Sequence, residues 1–384
     1  MAKSKKAKSK KSLIGDIIFY AVLAIIVIFV FVFFITPRFY MNHKTYGNYE
    51  SENTRPSTSW MLDLDDSLKL NEINIPGTHD SATQFVQYAY FSKCQTKPIL
   101  KQLQMGYRYL DIRLAVDNKN VVSGESPRLK FMHGFANCKT GNKRTAPLLY
   151  LDSVLADCYS FLDENPSETV VFVVKKDHGD ESLAEFQAIL DTYISANSEK
   201  WFTENRIPSL GEVRGKLVLA RRYNVNVETG DGESEIFDST NSGLNLVWAE
   251  QGNHEIAPVS FELNEQQNGL KVCVQDRYKY DTKDKWDAFT TSLGNALARG
   301  TENLSESEID SESSATIANR IFADVYISFL STNGDTKFGH PVKYAIPLNK
   351  KLWADELPSS EKYGWVILDY ATTELAQKIY MTNF

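Results

Sequence analysis

Short apolar runs alternate with stretches of helical period along most of the chain. Strand-like runs rich in β-branched and aromatic residues occur at Glu72–Ile75, Tyr107–Leu114, Leu129–Met132, Thr169–Val174, Lys216–Ala220, Leu244–Trp248, Lys271–Val274, Ile321–Leu330 and Trp365–Leu368. Between them, apolar residues recur at three- and four-residue spacing in Ile99–Met105, Leu148–Leu162, Glu181–Asn197, Asp284–Ala298 and Glu374–Tyr380. The first pattern fits strands and the second amphipathic helices. Strands that alternate with helices imply a parallel sheet, so the expected fold class is α/β. About eight such strands suggest a closed or nearly closed (β/α) barrel.

One segment breaks this pattern. From Leu13 to Ile35 the chain is apolar except at Gly15, Asp16 and Tyr20, and the residues before it hold six lysines and no acid. About 20 apolar residues span a bilayer as a helix, whereas a cleavable leader has a shorter apolar region and a small-residue cleavage site. Thr36-Pro37-Arg38-Phe39 offers no such site. The expected layout is a basic cytoplasmic tail (1–12), a transmembrane signal anchor (13–36), a polar linker (37–60) and a barrel domain (61–384). The lysines put the N-terminus inside and the barrel outside. Localisation at the outer face of the cell membrane, single-pass, follows.

Composition narrows the partners. The whole chain carries a formal charge of −7, and without the six N-terminal lysines the rest stands at −13. An acidic domain argues against nucleic acid and gives no support for bulk attraction to an anionic bilayer. Apolar residues make up 42% of the chain, with 19 Tyr and 21 Phe, which is ample for a core. The four cysteines (94, 138, 158, 273) would face an oxidising compartment. Cys94 and Cys138 sit in polar, loop-like surroundings and are candidates to bridge; Cys158 and Cys273 read as buried thiols. No Cys-x-x-Cys pair exists, so a cysteine-based zinc site is not expected. The Ser-rich acidic stretch 301–314 reads as a solvated loop, and no Gly-rich phosphate loop is present.

Chemistry concentrates where strand-like runs end. Ile73–Thr83 reads as a strand that stops at Pro76-Gly77, where glycine supplies a bend, and then presents Thr78, His79, Asp80 and Ser81. Arg113 closes the second run and His133 the third. Later runs end at Lys175-Lys176-Asp177, Arg221-Arg222-Tyr223, Gln275-Asp276-Arg277 and Asp369-Tyr370. In a (β/α) barrel such ends share one rim. Each residue alone has a plainer reading: a strand-end histidine is commonly a surface or core hydrogen-bonder, and Asp369 suits a helix cap. Their joint occurrence points to a polar cup for a hydroxyl-rich, phosphate-bearing substrate. Two imidazoles and a guanidinium supply a base, an acid and a fixed cation, which suffices to break a phosphodiester without a metal. His43, His178, His254 and His340 lack such a frame.

These residues resemble the bacterial-type phosphatidylinositol-specific phospholipase C (X-domain) family. The shared patterns are IPGTHDS (75–81), GYRYLDIR (106–113), MHG (132–134), ENPSETVVFVVKKD (164–177), GKLVLARRY (215–223), VQDRYK (274–279) and GWVILDY (364–370), collinear from about residue 62 onward. The resemblance implies a distorted or incomplete TIM-like (β/α)8 barrel. It further implies metal-free cleavage of phosphatidylinositol, or a glycosylated inositol lipid, to diacylglycerol and inositol 1,2-cyclic phosphate. His79 would be the general base oriented by Asp369, His133 the general acid coupled to Asp80, and Arg113 the group that stabilises phosphate charge. Lys175, Asp177, Arg222 and Asp276 correspond to inositol ligands, with Trp248 and Tyr278 as pocket walls. No cofactor and no metal are implied, because Arg113 stands where calcium-dependent relatives keep an acidic ligand. A monomer acting at a membrane surface is expected.

Departures stand beside the likeness. Asp177 occupies a position where bacterial relatives often have Glu, and loop 223–243 and the stretch 301–314 have no clear counterpart. Phe85, Tyr88, Tyr90, Phe91 and Phe338 form a candidate aromatic rim. Two other readings compete: a non-catalytic surface protein that binds inositol lipids or glycans, and a metal-dependent glycerophosphodiester phosphodiesterase. The first has no need of an acid–base pair, and the His-Arg-Gly and Glu-Asn-Thr runs of the second are absent.

Overall fold

The computed structural model describes residues 10–32, 46–47, 54–118, 127–223, 226–228, 234–236, 241–248, 250–252, 259–262, 271–297, 323–334 and 339–384. Most of the expected tail and linker, the stretch 301–314, Phe338, His43 and His254 lie outside the described residues. The strands are β1 (Ile75–Thr78), β2 (Tyr109–Asp117), β3 (Arg128–His133), β4 (Ala136–Asn137), β5 (Val170–Lys176), β6 (Trp201–Phe202), β7 (Leu217–Arg221), β8 (Asn226–Glu228), β9 (Ser234–Ile236), β10 (Leu244–Asn245), β11 (Val259–Glu262), β12 (Lys271–Gln275), β13 (Val325–Phe329) and β14 (Trp365–Leu368). The α-helices are α1 (Lys10–Val30), α2 (Ala89–Ser92), α3 (Ile99–Gln104), α4 (Leu151–Glu164), α5 (Leu183–Ser195), α6 (Leu210–Val213), α7 (Thr282–Leu297), α8 (Pro341–Ala354) and α9 (Thr373–Tyr380).

The main sheet runs β10-β7-β5-β2-β1-β14-β13-β12-β11, and it is parallel apart from β11. Among the described residues no pairing joins β10 to β11, so the curled sheet stays open there: an incomplete TIM-like barrel. Strand alternation sorts the core. Tyr109, Val171, Val173, Val218, Ala220, Val274, Ile327 and Ile367 pack together on one side. Their neighbours Leu110, Ile112, Leu114, Val170, Phe172, Val174, Leu217 and Leu219 pack with α4 and α5 through Leu155, Cys158, Phe161, Phe186 and Leu190. Each such buried aliphatic or aromatic side chain contributes about 1.5–3 kcal/mol, and the periodicity of α4 and α5 exists to bury that stripe. α1 is long and apolar enough to cross a membrane.

Several local expectations are corrected. β1 continues through Pro76 and Gly77 instead of ending there. Gly77 serves close packing: a Cβ would stand 2.8 Å from the Tyr109 Cβ. The bend comes later, at Asp80, whose φ is 47°. β2 runs on to Asp117, so Arg113 sits within it and does not close it. β3 is antiparallel to β2 and belongs to a hairpin, not to the parallel barrel series. α8 is not among the expected helices; Pro341 occupies its first turn, where no N–H is needed, and Pro347 is accommodated inside. Cys94 and Cys138 lie in loop segments as expected, but both are fully buried and do not bridge; all four cysteines are free thiols.

Candidate active site

Strand pairing brings the first dyad together. Thr78 pairs with Leu368 across β1 and β14, so the next residue on each strand, His79 and Asp369, emerges side by side. The His79 Nδ1 and Asp369 Oδ1 lie 2.8 Å apart. On the other side of the ring, Arg113 Nη2 donates to His79 Nε2 at 2.8 Å. A guanidinium can only donate, which leaves Nε2 as the acceptor and puts the proton on Nδ1, facing Asp369. Gln95 ties the two exits, its Nε2 donating to the carbonyls of His79 at 2.9 Å and Leu368 at 2.8 Å.

The second imidazole enters from the β3–β4 hairpin. His133 Nδ1 stands 2.5 Å from Asp80 Oδ2. The same Asp80 oxygen is 3.9 Å from His79 Nε2 and 3.3 Å from Arg113 Nη1. Both rings therefore flank one carboxylate oxygen with the guanidinium beside it. The left-handed backbone of Asp80 aims that carboxylate, and its N–H donates to Asp111 Oδ2 at 3.2 Å.

Asp111 is the residue that strand-end reading missed. It is fully buried, accepts from Arg113 Nε at 3.3 Å and Nη2 at 3.1 Å, and has Arg222 Nη1 3.7 Å from its other oxygen. The signal for it was parity: Tyr109, Asp111 and Arg113 alternate onto one face of β2. The far wall holds Arg222, which pairs with Asp276 at 3.1 Å and lies 3.8 Å over the Trp248 ring. The Trp248 indole N–H also donates to Asp276, at 3.2 Å. Tyr278 donates its hydroxyl to Glu250.

Burial and charge compete at each group. Burial alone would push His79 down, but Asp369 outweighs it and the ring is held above its ordinary value. Asp369 itself is raised by burial despite the opposing pull of His79. Asp80 and Asp111 meet the same burial penalty, yet Arg113, with His133 at the first and Arg222 at the second, holds both below the usual carboxylate range. Arg113 and burial together lower Lys175.

The cavity measures about 320 Å³, and His79, Arg113, His133, Asp369, Lys175, Arg222, Trp248, Asp276 and Tyr278 line it. Asp80 sits beneath. Asp177 is turned to the hairpin, accepting from the Gly134 N–H, with Lys175 3.9 Å away. Phe91 lines the cavity, while the Tyr88 and Phe135 rings lie tilted at 55° with centroids 5.5 Å apart; Phe135 was not foreseen. Two donor sets come within 4.8 Å, His79–Cys94–Asp369 and Asp80–Cys94–His133. The Arg113 guanidinium lies 3.3 Å from Asp80, a member of the second set.

An open (β/α) barrel with paired imidazoles and a guanidinium in a polar cup falls in the class of barrel phosphodiesterases. Residues 73–223 match the family described as phosphatidylinositol-specific phospholipase C, X domain. The 1-phosphatidylinositol phosphodiesterase of Staphylococcus aureus (strain Newman) is 29% identical over 343 residues, covering 85% of this chain and 93% of that protein. Its counterpart from Listeria monocytogenes is 28% identical over 210 residues, 51% of this chain and 59% of that protein. A solved structure of a pentafluoro-Phe variant of the Staphylococcus aureus phosphatidylinositol-specific phospholipase C superposes with a TM-score of 0.61 at 26% identity, covering 86% of this chain and 99% of that one. The Listeria monocytogenes structure shares the fold, with a TM-score of 0.56 at 21% identity over 86% of this chain and all of that one. Residues 73–223 are thus similar to that X domain, and most of the chain is similar to the bacterial 1-phosphatidylinositol phosphodiesterases, which marks it as an enzyme like phosphatidylinositol-specific phospholipase C.

Proposed function

We propose that this chain is a membrane-anchored, extracytoplasmic lyase that cleaves phosphatidylinositol, or a glycosylated inositol lipid, to diacylglycerol and inositol 1,2-cyclic phosphate. The observation that carries the reading is the shared Asp80 oxygen, with His79 Nε2 and His133 Nδ1 at 3.9 and 2.5 Å and Arg113 at 3.3 Å. That spacing suits two rings flanking a single phosphate.

His79 Nε2 takes the proton of the inositol 2-hydroxyl as its oxygen attacks phosphorus. Asp369 favours the imidazolium that forms, as in other carboxylate–histidine pairs. The P–O bond to the glycerol oxygen breaks, and His133 gives that oxygen a proton from Nε2 while Asp80 faces Nδ1. Arg113 turns from the His79 lone pair to the non-bridging oxygens, a contact of the kind that contributes roughly 2.7–4 kcal/mol to a transition state. Because the nucleophile is part of the substrate, proximity supplies much of the rate. Lys175, Asp177, Arg222 and Asp276 bind ring hydroxyls, and Trp248 and Tyr278 wall the pocket. The guanidinium supplies the positive charge, so the reaction runs without metal. Residues 1–12 form a cytoplasmic tail, 13–36 the anchor, 37–60 the linker and 61–384 the catalytic barrel, with the exposed rings of Tyr88, Phe91 and Phe135 at the lipid surface.

The test uses the full chain with phosphatidylinositol in mixed micelles containing EDTA, followed by ³¹P NMR. The expected product is a cyclic phosphodiester, lost in His79→Ala and His133→Ala. Activity abolished by EDTA would favour a metal enzyme; binding without turnover would favour a surface binder.

A further inference from the structure

Tyr46 and Gly47 are the described residues between the apolar helix and Thr54, and both are docked on the barrel domain. The Tyr46 N–H donates to Glu374 Oε1 at 2.6 Å, in the first turn of α9. Its ring packs against the inner core cluster, and its hydroxyl shares a hydrogen bond with the Asn349 side chain of α8. Gly47 follows with φ 130° and lies against Trp353. The segment thus plugs the seam between two helices with one aromatic side chain.

Asn349 leads on to the active site. Its Nδ2 donates to the carbonyl of Asp369 at 2.8 Å and approaches that of Tyr370 at 3.4 Å. Tyr370 is left-handed, with φ 51°, a conformation that persists only where its surroundings hold it. The other side of this turn is braced by the Tyr370 N–H donating to the Cys94 carbonyl at 2.7 Å and the Ala371 N–H donating to Gln95 Oε1 at 3.1 Å. The strained turn carries Asp369, whose carboxylate faces His79 at 2.8 Å.

We propose that Tyr46 is a positioning residue of the reaction: docked between α8 and α9, it fixes Asn349, which fixes the turn that aims Asp369 at His79. The segment leading from the apolar helix is then part of the working enzyme and not a passive tether. The inference rests on reading His79 and Asp369 as the base dyad. His79 is faced by Asp369 just beyond β14, by Arg113 and Asp111 from β2, by Asp80 from its own loop and by the Cys94 thiol, so a change confined to Asp369 is readable in its titration.

The test is Tyr46→Phe in the full chain, which keeps the ring and removes the hydroxyl, with Asn349→Ala as the second variant. In Tyr46→Phe kcat should fall roughly three- to tenfold at unchanged KM, less than the ~100-fold of an ångström's misplacement. The acidic limb of kcat/KM and the His79 ring titration, followed by ¹⁵N NMR, should move to lower pH as the carboxylate loosens. Asn349→Ala should move both further in the same direction. Wild-type kcat and titration in Tyr46→Phe would overturn the proposal, and so would lost activity with an unmoved His79 titration, since that marks a merely structural role. If the wild-type chain does not turn over phosphatidylinositol, the functional reading fails while the His79 titration still decides the role of Tyr46.

Discussion

Removing Arg113 tests stability and chemistry in one variant. Its guanidinium lies within 3.3 Å of both Asp80 and Asp111, carboxylates that are 2% and 0% exposed. In Arg113→Ala two buried carboxylates lose their main counter-charge. Breaking a buried pair from one side costs about 3–5 kcal/mol, and at roughly 2 °C or less per kcal/mol in a chain of this size the loss is several degrees in Tm at pH 7. The pH dependence gives the sharper reading. In the native protein both carboxylates titrate below their usual range. Their contribution is present above the unfolded carboxylate value, about 3.9, and disappears as pH falls through the depressed folded values. Without Arg113, burial becomes the larger influence and the folded values rise above the unfolded one. The sign then reverses: the variant gains stability as pH falls from 8 toward 5, while the native protein draws no such gain from these groups. Calorimetry or fluorescence melts across that range measure it, alongside kcat/KM, for which loss of the phosphate contact predicts a drop of roughly 10²–10³-fold. Melting curves that stay parallel between the variant and the native protein, with Tm close to wild type, would refute the account of Asp80 and Asp111 as guanidinium-dependent buried charges.

Asp369→Asn should lower kcat by about 10³–10⁴-fold, on the precedent of carboxylate-to-amide changes in other such dyads. Because Asp369 holds His79 above its ordinary value, the acidic limb of the residual activity should shift to lower pH, measured in a kcat/KM profile; an unmoved limb would mean that another group carries the base. Gly77→Ala inserts a methyl 2.8 Å from the Tyr109 Cβ and 3.0 Å from the Ile367 side chain. Overpacking of this kind costs about 1–3 kcal/mol, to be read from denaturant midpoints. A neutral Gly77→Ala would show that the β1–β2 approach is looser than the structure has it.

Local pattern made much of this protein legible. Period-two alternation determines which side chains of β2, β5 and β7 face the cup, so the inward parity of Asp111, Arg113, Lys175 and Arg222 was written into the chain before any folding. The helices α4, α5, α7 and α9 were likewise readable, because an apolar stripe of helical period has to be buried. The run of apolar residues from Leu13 marked a segment able to span a bilayer by its length alone.

Other features depended on contacts between distant residues. His79 and Asp369 are 290 positions apart, and only the parallel pairing of β1 with β14 sets them side by side. His133 reaches Asp80 because β3 folds back on β2, a reversal that alternation cannot encode since both strand directions share one period. Burial of Cys94 and Cys138, the brace at Gln95 and the seat of Tyr46 between α8 and α9 arise from packing of segments far apart in the chain. A chain's local sequence specifies the periodicity and face of each element; which faces meet is decided by burying all of them at once.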